Sequence, residues 1–562
     1  MKKAKYSIGD EKTCIIAIVI VIAYIAYAVS LFTWGRGYYT YEDIFGPLSK
    51  HVAIVISLAL FLLASFLYFF SSNRGDGGRG FILPIIVLVL SITSIRFLPD
   101  VADSYYDQNF YDAGGHITGG HMTRGAFVTL TGHSNPNVDD YFDLQPAFFW
   151  FTAMFINIAY GTPLTPNDPI FSFFVKWFHV VAVIIYIPIL FEFLRKYGLN
   201  YGETFLALFI FFVLSSSRFH YAAQTYANTL FWLLIALLLD IITYRDTKKI
   251  FMLMLVFTST IFVHEGVTLF MVVTLISATI ALFFSKHTKK SLPTILMLST
   301  YFLIAWSLYL LYLSKFSLSN FASTVISVIK RYLFEGVTGV VSRGVFRAWT
   351  PWRDVVIFKA VHMGALIISG TVLTAWMYRT SKRTAYLTRA FIILGISIVI
   401  GAVAVGLGGA GYIERVLELL LPLFLLAFVE THKQSNKCKY CNALKKTLTT
   451  LMIFFIVTAP FVYFSGRNFQ SVLTSEDSAR NFLRMHTQTI AGLYLTTTVR
   501  SAYAPLLTNS TFTSNTLYWL QNDIQTFYYL IGDLQVMYQH ADYARMVCSA
   551  IYSNPSVQLL YC

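Results

Sequence analysis

Uninterrupted apolar runs of about 20 residues recur along most of this chain of 562 residues, and a helix of that length crosses the hydrocarbon core of a bilayer. With 56% hydrophobic and only 12% charged residues, the chain cannot be a soluble globular protein. The sequence therefore predicts an all-α, multi-pass protein of the cell membrane with about thirteen transmembrane helices. The apolar runs lie at 13–34, 50–71, 81–98, 168–193, 203–217, 225–243, 249–264, 266–286, 292–314, 354–377, 387–408, 413–430 and 447–465.

The basic residues lie in the connections between these runs and indicate how the chain is oriented. The net charge is +14, from 42 Lys and Arg against 28 Asp and Glu, which in a soluble protein would suggest nucleic acid. Here the bases fall in alternate connections, among them Lys2–Lys12, Arg245–Lys249 and Lys433–Lys446, and such connections face the cytoplasm. We therefore expect a cytoplasmic N-terminus, an extracytoplasmic C-terminus and no nucleic-acid partner.

The same pattern divides the chain into two domains. Residues 1–465 hold the apolar runs and form a transmembrane domain, while the polar residues 466–562 follow the last run on the outer side. The segment Ser478–Leu483 favours a helix and Val557–Tyr561 favours a strand. We therefore predict a small extracytoplasmic C-terminal domain of mixed α/β structure.

Two connections on the predicted outer side, 99–167 and 315–353, are longer than a tight turn requires, and long loops in compact folds are often functional. Each contains an aromatic, amphipathic segment, Pro146–Phe151 in the first and Arg343–Trp349 in the second. Such segments suit short helices lying in the membrane interface. We expect them to cover a cavity at the outer surface.

The connection 99–167 begins with carboxylates placed directly after a membrane helix, where acids are costly unless they are used or solvated. On a continued helix the first three of these carboxylates share one face, and the fourth pairs with His116 at i, i+4 spacing. A carboxylate here could act as a general base, and a solvated acidic loop is the plain alternative. The carboxylates are Asp100, Asp103, Asp107 and Asp112.

A near-repeat follows, in which Gly114–Thr118 and Gly119–Thr123 each carry a Gly-Gly-His sequence. His116 and His121, with carboxylates on both sides, could bind a divalent cation. No tight metal-ligand spacing is present, and backbone flexibility at the glycines explains the pattern better.

Other charged residues lie where apolar runs meet the predicted outer surface, and charges at a membrane edge are functional hypotheses by default. Arg415 follows a glycine-rich approach, and a guanidinium matches the geometry of phosphate oxygens. An arginine that snorkels from a helix end is the alternative. His264 and Glu265 occupy a short turn that they could simply solvate. The remaining residues of this kind are Arg218 and Glu414.

Several short segments resemble motifs of the GT-C superfamily of membrane glycosyltransferases, in particular archaeal members that use a polyprenyl-phosphate sugar. They occur in the family's order over roughly residues 95–430 and again at the C-terminus. The segments are Asp112–His116, Asp143–Phe149 with Tyr160-Gly161, Phe219–Gln224, Val263–Gly266, Tyr412–Arg415 and Ile551–Pro555.

The resemblance implies a GT-C-like fold and an inverting glycosyltransferase. It would move a sugar from a polyprenyl or dolichyl phosphate carrier in the bilayer to a glycan, lipid or protein acceptor on the outer face. No Trp-Trp-Asp motif of oligosaccharyltransferases occurs, so transfer to the asparagine of a sequon is not expected. A divalent cation, Mg²⁺ or Mn²⁺, is left open as a cofactor. The assignments are Asp112, Asp107 and Asp103 as catalytic carboxylates, Arg415, Arg218 and His264 as donor-phosphate ligands, and His116, His121 and Glu414 as substrate or metal ligands.

A multi-pass transporter or a flippase for lipid-linked sugars is the alternative function. Transporters place charges and broken helices near the middle of the membrane. The runs of this chain hold few ionisable residues at their centres, while acids and histidines lie at the predicted outer edge. This distribution favours an enzyme at the outer face.

Overall fold

A computed structural model describes most of the chain, and every structural statement below concerns the described part alone. The described residues are 8–35, 45–72, 82–102, 128–129, 132, 146–160, 169–215, 223–244, 247–284, 289–313, 352–380, 410–434, 439–464, 492–495, 516–521, 549–553 and 557–561.

The described part of residues 1–465 is built from α-helices, as the apolar runs predict. The run at 387–408 lies outside the described residues, and each of the other runs coincides with a helix whose ends are displaced by a few residues. The helices are α1 Ile8–Trp34, α2 Val52–Ser72, α3 Ile82–Arg96, α4 Leu98–Ala102, α5 Pro146–Tyr160, α6 Pro169–Lys196, α7 Tyr201–Leu214, α8 Ala223–Tyr244, α9 Thr247–Val263, α10 Glu265–Phe284, α11 Leu292–Leu308, α12 Trp352–Thr380, α13 Ala410–Gln434 and α14 Lys439–Phe464.

Five helical stretches are long and apolar enough to cross a membrane, and one of them continues past the end of α11 to Tyr312. Shorter apolar stretches lie in α3, α7, α10, α12 and α13. The protein is therefore a helical membrane protein, and the number of thirteen crossings stays a prediction. The five stretches are Cys14–Trp34, Val52–Ser71, Ala223–Ile242, Leu292–Tyr312 and Lys445–Phe464.

Helix α5 forms where the sequence predicts a short helix in the connection 99–167. It begins at Pro146, a residue whose fixed φ suits the first turn of a helix. Phe148 and Phe149 are buried, while Trp150 and Phe151 are exposed. The helix therefore has one packed face, and its placement in the membrane interface stays a prediction. The companion segment Arg343–Trp349 lies outside the described residues.

At one end of the bundle, α6, α8 and α9 are joined by a cluster of ion pairs. Asp240 of α8 is 7% exposed, and its Oδ2 accepts hydrogen bonds from Lys196 at 2.6 Å and from Lys249. Ser291, just before α11, donates to the carbonyl oxygen of Ile242 at 3.1 Å. We call this the Asp240 end of the bundle.

Helix α7 starts at the same end of the bundle. Asn200 and Glu203 form a capping box at its start. The Asn200 side chain accepts from the backbone N–H of Glu203 at 2.9 Å, and the Glu203 carboxylate accepts from the backbone N–H of Asn200 at 2.8 Å. These bonds satisfy two backbone donors that a helix start otherwise leaves without partners.

Helices α12 and α13 approach each other closely at a glycine. A Cβ on Gly370 of α12 would overlap the ring of Phe424 of α13, so only glycine fits this crossing. By contrast, a Cβ on Gly364 in the same helix would meet nothing within 4 Å. Small residues of this kind let helix backbones pack tightly in membrane proteins.

The described part of residues 466–562 is a four-stranded sheet in the order β1-β2-β4-β3. The β1–β2 pair is parallel, and the other two pairs are antiparallel. The strand predicted at Val557–Tyr561 is confirmed as β4, whereas the predicted helix Ser478–Leu483 lies outside the described residues, so the mixed α/β composition stays a prediction. The strands are β1 Gly492–Leu495, β2 Thr516–Gln521, β3 Ser549–Ser553 and β4 Val557–Tyr561.

Candidate functional site

Most of the residues predicted to do chemistry lie outside the described residues, and their roles stay predictions. For Glu414 and Arg415 the structure describes the backbone alone, which lies in the first two turns of α13. His264 is the predicted site residue whose side chain is described. The predicted residues outside the description are Asp103, Asp107, Asp112, His116, His121 and Arg218.

His264 lies at the joint between α9 and α10 and caps the start of α10. Its Nδ1 accepts a hydrogen bond from the backbone N–H of Val267 at 3.3 Å. Its carbonyl oxygen accepts from the backbone N–H and the hydroxyl of Thr268, at 3.2 and 3.0 Å. Because Nδ1 accepts, it carries no proton in this arrangement. Any contact with a donor phosphate would therefore use Nε2.

The acidic segment starts on a continuous helical path. The backbone N–H of Phe97 donates to the carbonyl oxygen of Thr93, and that of Val101 donates to Phe97, both at 3.0 Å. Helix α3 therefore continues through Phe97 into α4, which contains Asp100. The helical geometry that would align the carboxylates on one face is present as far as Ala102.

Arg96, the last residue of α3, is the most unusual side chain in this part of the molecule. The side chain is 1% exposed, and its Nη2 donates to the carbonyl oxygens of Ser215 at 2.7 Å and Phe212 at 3.2 Å. These carbonyls belong to the end of α7, where a helix carries partial negative charge. A cation at the C-terminal end of α7 is favoured by the dipole of that helix.

The Arg96 guanidinium also reaches two further helices. Its Cζ lies 4.9 Å from the ring centroid of Tyr463, near the end of α14. It interacts electrostatically with Glu418 of α13, a carboxylate that is 2% exposed. A buried arginine is costly unless it is paired and hydrogen bonded. The two carbonyls and the aromatic face supply partners of this kind.

Tyr186 of α6 extends the same network toward α8. Its hydroxyl donates to the carbonyl oxygen of Thr225 at 3.0 Å, and its ring packs edge-on against Trp232, with centroids 4.8 Å apart. It also interacts electrostatically with Glu418. Asn228 is 1% exposed and lies beside the Tyr186 hydroxyl. We call Arg96, Tyr186, Asn228, Glu418 and Tyr463 the buried polar network.

This network joins the helix ends from which the predicted site segments depart. Arg96 precedes the acidic segment, Ser215 precedes the segment with Arg218, and Glu418 lies one helical turn after Glu414 and Arg415. Tyr463 precedes residues 466–562. We call this the Arg96 end of the bundle. The sequence predicts it to face outward.

The sequence analysis missed this network. Arg96, Lys359 and Glu418 lie near the ends of their apolar runs, and each is less than a tenth exposed. A signal was available, because one Arg in the run 81–98 and one Glu in the run 413–430 are costly in a membrane unless they pair.

Within the described residues no group of three or more His, Cys, Asp or Glu side chains could hold a metal ion. His116 and His121 lie outside those residues, so the expectation of Mg²⁺ or Mn²⁺ stays a prediction.

No protein-family model matches the chain, and no curated protein matches it by sequence. One solved structure to which it is similar is the crystal structure of the oligosaccharyltransferase of Archaeoglobus fulgidus, in complex with zinc and sulfate. The similarity covers 77% of this chain and 62% of that chain, at 10% sequence identity and a TM-score of 0.48. The chain therefore spans less than two thirds of the length of that protein.

Proposed function

We propose that this protein is an inverting membrane glycosyltransferase that takes a sugar from a polyprenyl-phosphate carrier at the outer face of the membrane. The observation that carries the proposal is the meeting of helix ends at the buried polar network. The acidic segment, the segment with Arg218 and the helix with Arg415 all start there. The segment with the proposed general base and the helix with the proposed phosphate ligand therefore start at the same end of the bundle. The reaction requires both groups at one site.

In the proposed reaction, Asp112 accepts the proton of an acceptor hydroxyl. The acceptor oxygen then forms a bond to the anomeric carbon of the sugar, and the bond from that carbon to the carrier phosphate breaks on the opposite side. The configuration is therefore inverted, and the lipid phosphate leaves with the bonding electron pair. Arg415 stabilises the negative charge of this phosphate, and Arg218 and His264 assist. A divalent cation, if the enzyme uses one, would be held by His116, His121 and Glu414.

The acceptor would be a glycan, a lipid or a protein, and the assay determines which of these classes accepts the sugar. We expect it not to be the asparagine of a sequon, because the chain lacks the Trp-Trp-Asp motif of oligosaccharyltransferases. The carrier would reach the site from the bilayer, since its polyprenyl chain is confined there.

The test is an assay of the purified full chain with dolichyl-phosphate mannose or dolichyl-phosphate glucose and extracted membrane lipid as acceptor. Asp112→Asn should lower turnover about 10²–10⁴-fold, which is the usual cost of losing a general base. Arg415→Ala should weaken donor binding as well as turnover. Asp139→Asn, in the same connection but without an assigned role, is the matched control and should retain activity.

A transporter or lipid flippase is the second candidate, and the buried Arg96 and Glu418 are the observation that favours it. Ionisable residues inside membrane helices often mark an ion or substrate path. The two candidates differ in the assay. If Asp103→Asn, Asp107→Asn and Asp112→Asn all keep full activity, the transferase mechanism is wrong. A substrate flux through reconstituted vesicles that Glu418→Gln abolishes would then identify the transporter.

A further inference from the structure

We propose that the Asp240 end of the bundle binds an anionic phospholipid. The lipid headgroup lies at the lysines beside the starts of α9 and α11, and the acyl chains lie along the exposed apolar side chains that follow these lysines. This surface is at the opposite end of the bundle from the proposed transferase site, and its test requires no activity.

A cluster of ion pairs holds the helices of this end in place. Lys196 of α6 and Lys249 of α9 both donate to Oδ2 of the buried Asp240, and Lys196 also lies 3.7 Å from the exposed Glu192 carboxylate. Two lysines and two acids balance in this cluster. A net positive charge at this end therefore has to come from basic residues outside the cluster.

Two exposed lysines supply that charge. Lys248 lies in the first turn of α9. Lys290 precedes Ser291, whose hydroxyl donates to the carbonyl oxygen of Ile242 at 3.1 Å, so Lys290 lies beside the end of α8 that carries Asp240. The first turns of α9 and α11 contain no acidic residue. The two helix starts carry partial positive charge and add to the lysines, so an anion is favoured there.

The side of α9 that carries Lys248 continues as an apolar face. Phe251, Met252 and Leu255 follow Lys248 at i+3, i+4 and i+7, a spacing that places all four residues on one side of the helix. The three apolar side chains are exposed. A cation at the membrane edge is therefore followed by about two helical turns of apolar surface that run into the hydrocarbon.

Helix α11 repeats this arrangement and packs beside α9. Leu296 and Met297 are exposed and follow Lys290 by about two turns. The hydroxyl oxygens of Thr258 in α9 and Tyr301 in α11 are 3.0 Å apart. Two neighbouring helices therefore each present a lysine at the membrane edge with apolar surface next to it. A phospholipid has the matching form, because its phosphate lies at the edge and its chains lie in the hydrocarbon.

The charge and the apolar faces exclude different occupants. A soluble anion would contact the lysines and leave the apolar faces unused, while a zwitterionic lipid would gain little from the net positive charge. An anionic phospholipid uses both features. Anionic lipids are concentrated in the cytoplasmic leaflet, which is the side that the basic connections predict for this end of the bundle.

Native mass spectrometry of the purified full chain in detergent tests the proposal by titration with dioleoyl-phosphatidylglycerol or dioleoyl-phosphatidylcholine. The wild type should bind phosphatidylglycerol more tightly than phosphatidylcholine. The double variant Lys248→Gln with Lys290→Gln should weaken phosphatidylglycerol binding about 25-fold, because each lysine near an anionic headgroup contributes about fivefold in affinity. Both lysines are exposed, so the melting temperature without lipid should match that of the wild type.

The matched control is Lys445→Gln with Lys446→Gln in the first half of α14, which removes the same charge near the same end of the bundle. It should change the affinity less than about twofold. A second variant, Met252→Ser with Leu255→Ser, keeps every lysine and should also weaken phosphatidylglycerol binding, because the acyl chain loses apolar contact.

Three results would overturn the proposal. The first is equal affinity of the wild type for the two lipids, and the second is equal weakening in the two lysine pairs. The third is competition by excess inorganic phosphate together with full binding in Met252→Ser, Leu255→Ser, since the ligand would then be a soluble anion. None of these results bears on the transferase assay, so the two proposals stand or fall separately.

Discussion

Nδ1 of His264 accepts a hydrogen bond from the backbone N–H of Val267 at 3.3 Å, so one nitrogen of a residue predicted to bind phosphate is used to start α10. Capping side chains of this kind typically contribute about 1 kcal/mol. The imidazole therefore has a structural task at Nδ1, and its proposed chemical task falls to Nε2.

Two substitutions separate these tasks. The side-chain oxygen of Asn can occupy the position of Nδ1, whereas Gln reaches the position of Nε2 but caps poorly. We expect His264→Asn to keep the melting temperature and raise KM for the sugar donor. His264→Gln should lower the free energy of unfolding by about 1 kcal/mol and change KM less. Thermal unfolding and donor titration measure the two effects. A reversed pattern would remove His264 from the phosphate site.

The ion pairs at the Asp240 end predict that removing the charge of Asp240 destabilises the protein more than removing the charge of Lys196. Asp240 is 7% exposed and serves both Lys196 and Lys249, which are themselves partly exposed, and Lys196 also lies 3.7 Å from the exposed Glu192 carboxylate. Asp240→Asn leaves the two ammonium groups without the buried anion that they share, and we expect a loss of about 1–3 kcal/mol. Lys196→Gln should cost less, because Lys249 still pairs with Asp240.

Thermal unfolding of the full chain in detergent checks this order. A melting temperature for Lys196→Gln at or below that of Asp240→Asn would contradict it. Added salt should narrow the difference only slightly, since the carboxylate is buried and poorly screened.

The crossing of α12 and α13 predicts opposite effects for two glycines in one helix. Gly370→Ala forces a methyl group into the ring of Phe424, and overpacking of this kind typically costs about 1–3 kcal/mol. Gly364→Ala places its methyl group in open space and should stabilise the helix by up to about 1 kcal/mol. Melting temperatures of the two variants should therefore move in opposite directions. A fall in both would mean that the space beside Gly364 is filled by something outside the described residues.

The apolar runs were sufficient to predict the helices, because a segment that crosses a membrane must satisfy its backbone internally and expose apolar side chains. They were not sufficient to predict the buried polar network. Arg96 and Tyr463 lie more than 300 residues apart, and neither periodicity nor composition shows which side chain of one apolar run meets which side chain of another. The capping role of His264 was also missed, since a cap depends on where a helix starts, and helix ends are the least certain feature of a sequence pattern.

The last prediction concerns which end of the bundle faces outward. The contacts of Arg96 place the ends of α3, α7 and α14 at one level, and those of Asp240 place the end of α6 and the start of α9 at the other. The basic connections belong to the Asp240 end, so by the positive-inside rule this end should be cytoplasmic. In intact cells and a cysteine-free background, a membrane-impermeant thiol reagent should label Ser478→Cys and should not label Lys437→Cys. After the membrane is opened both should react, which controls for buried thiols. Labelling of Lys437→Cys alone in intact cells would invert the topology, and the proposed site would then face cytoplasmic, nucleotide-linked sugars instead of an outer-face lipid carrier.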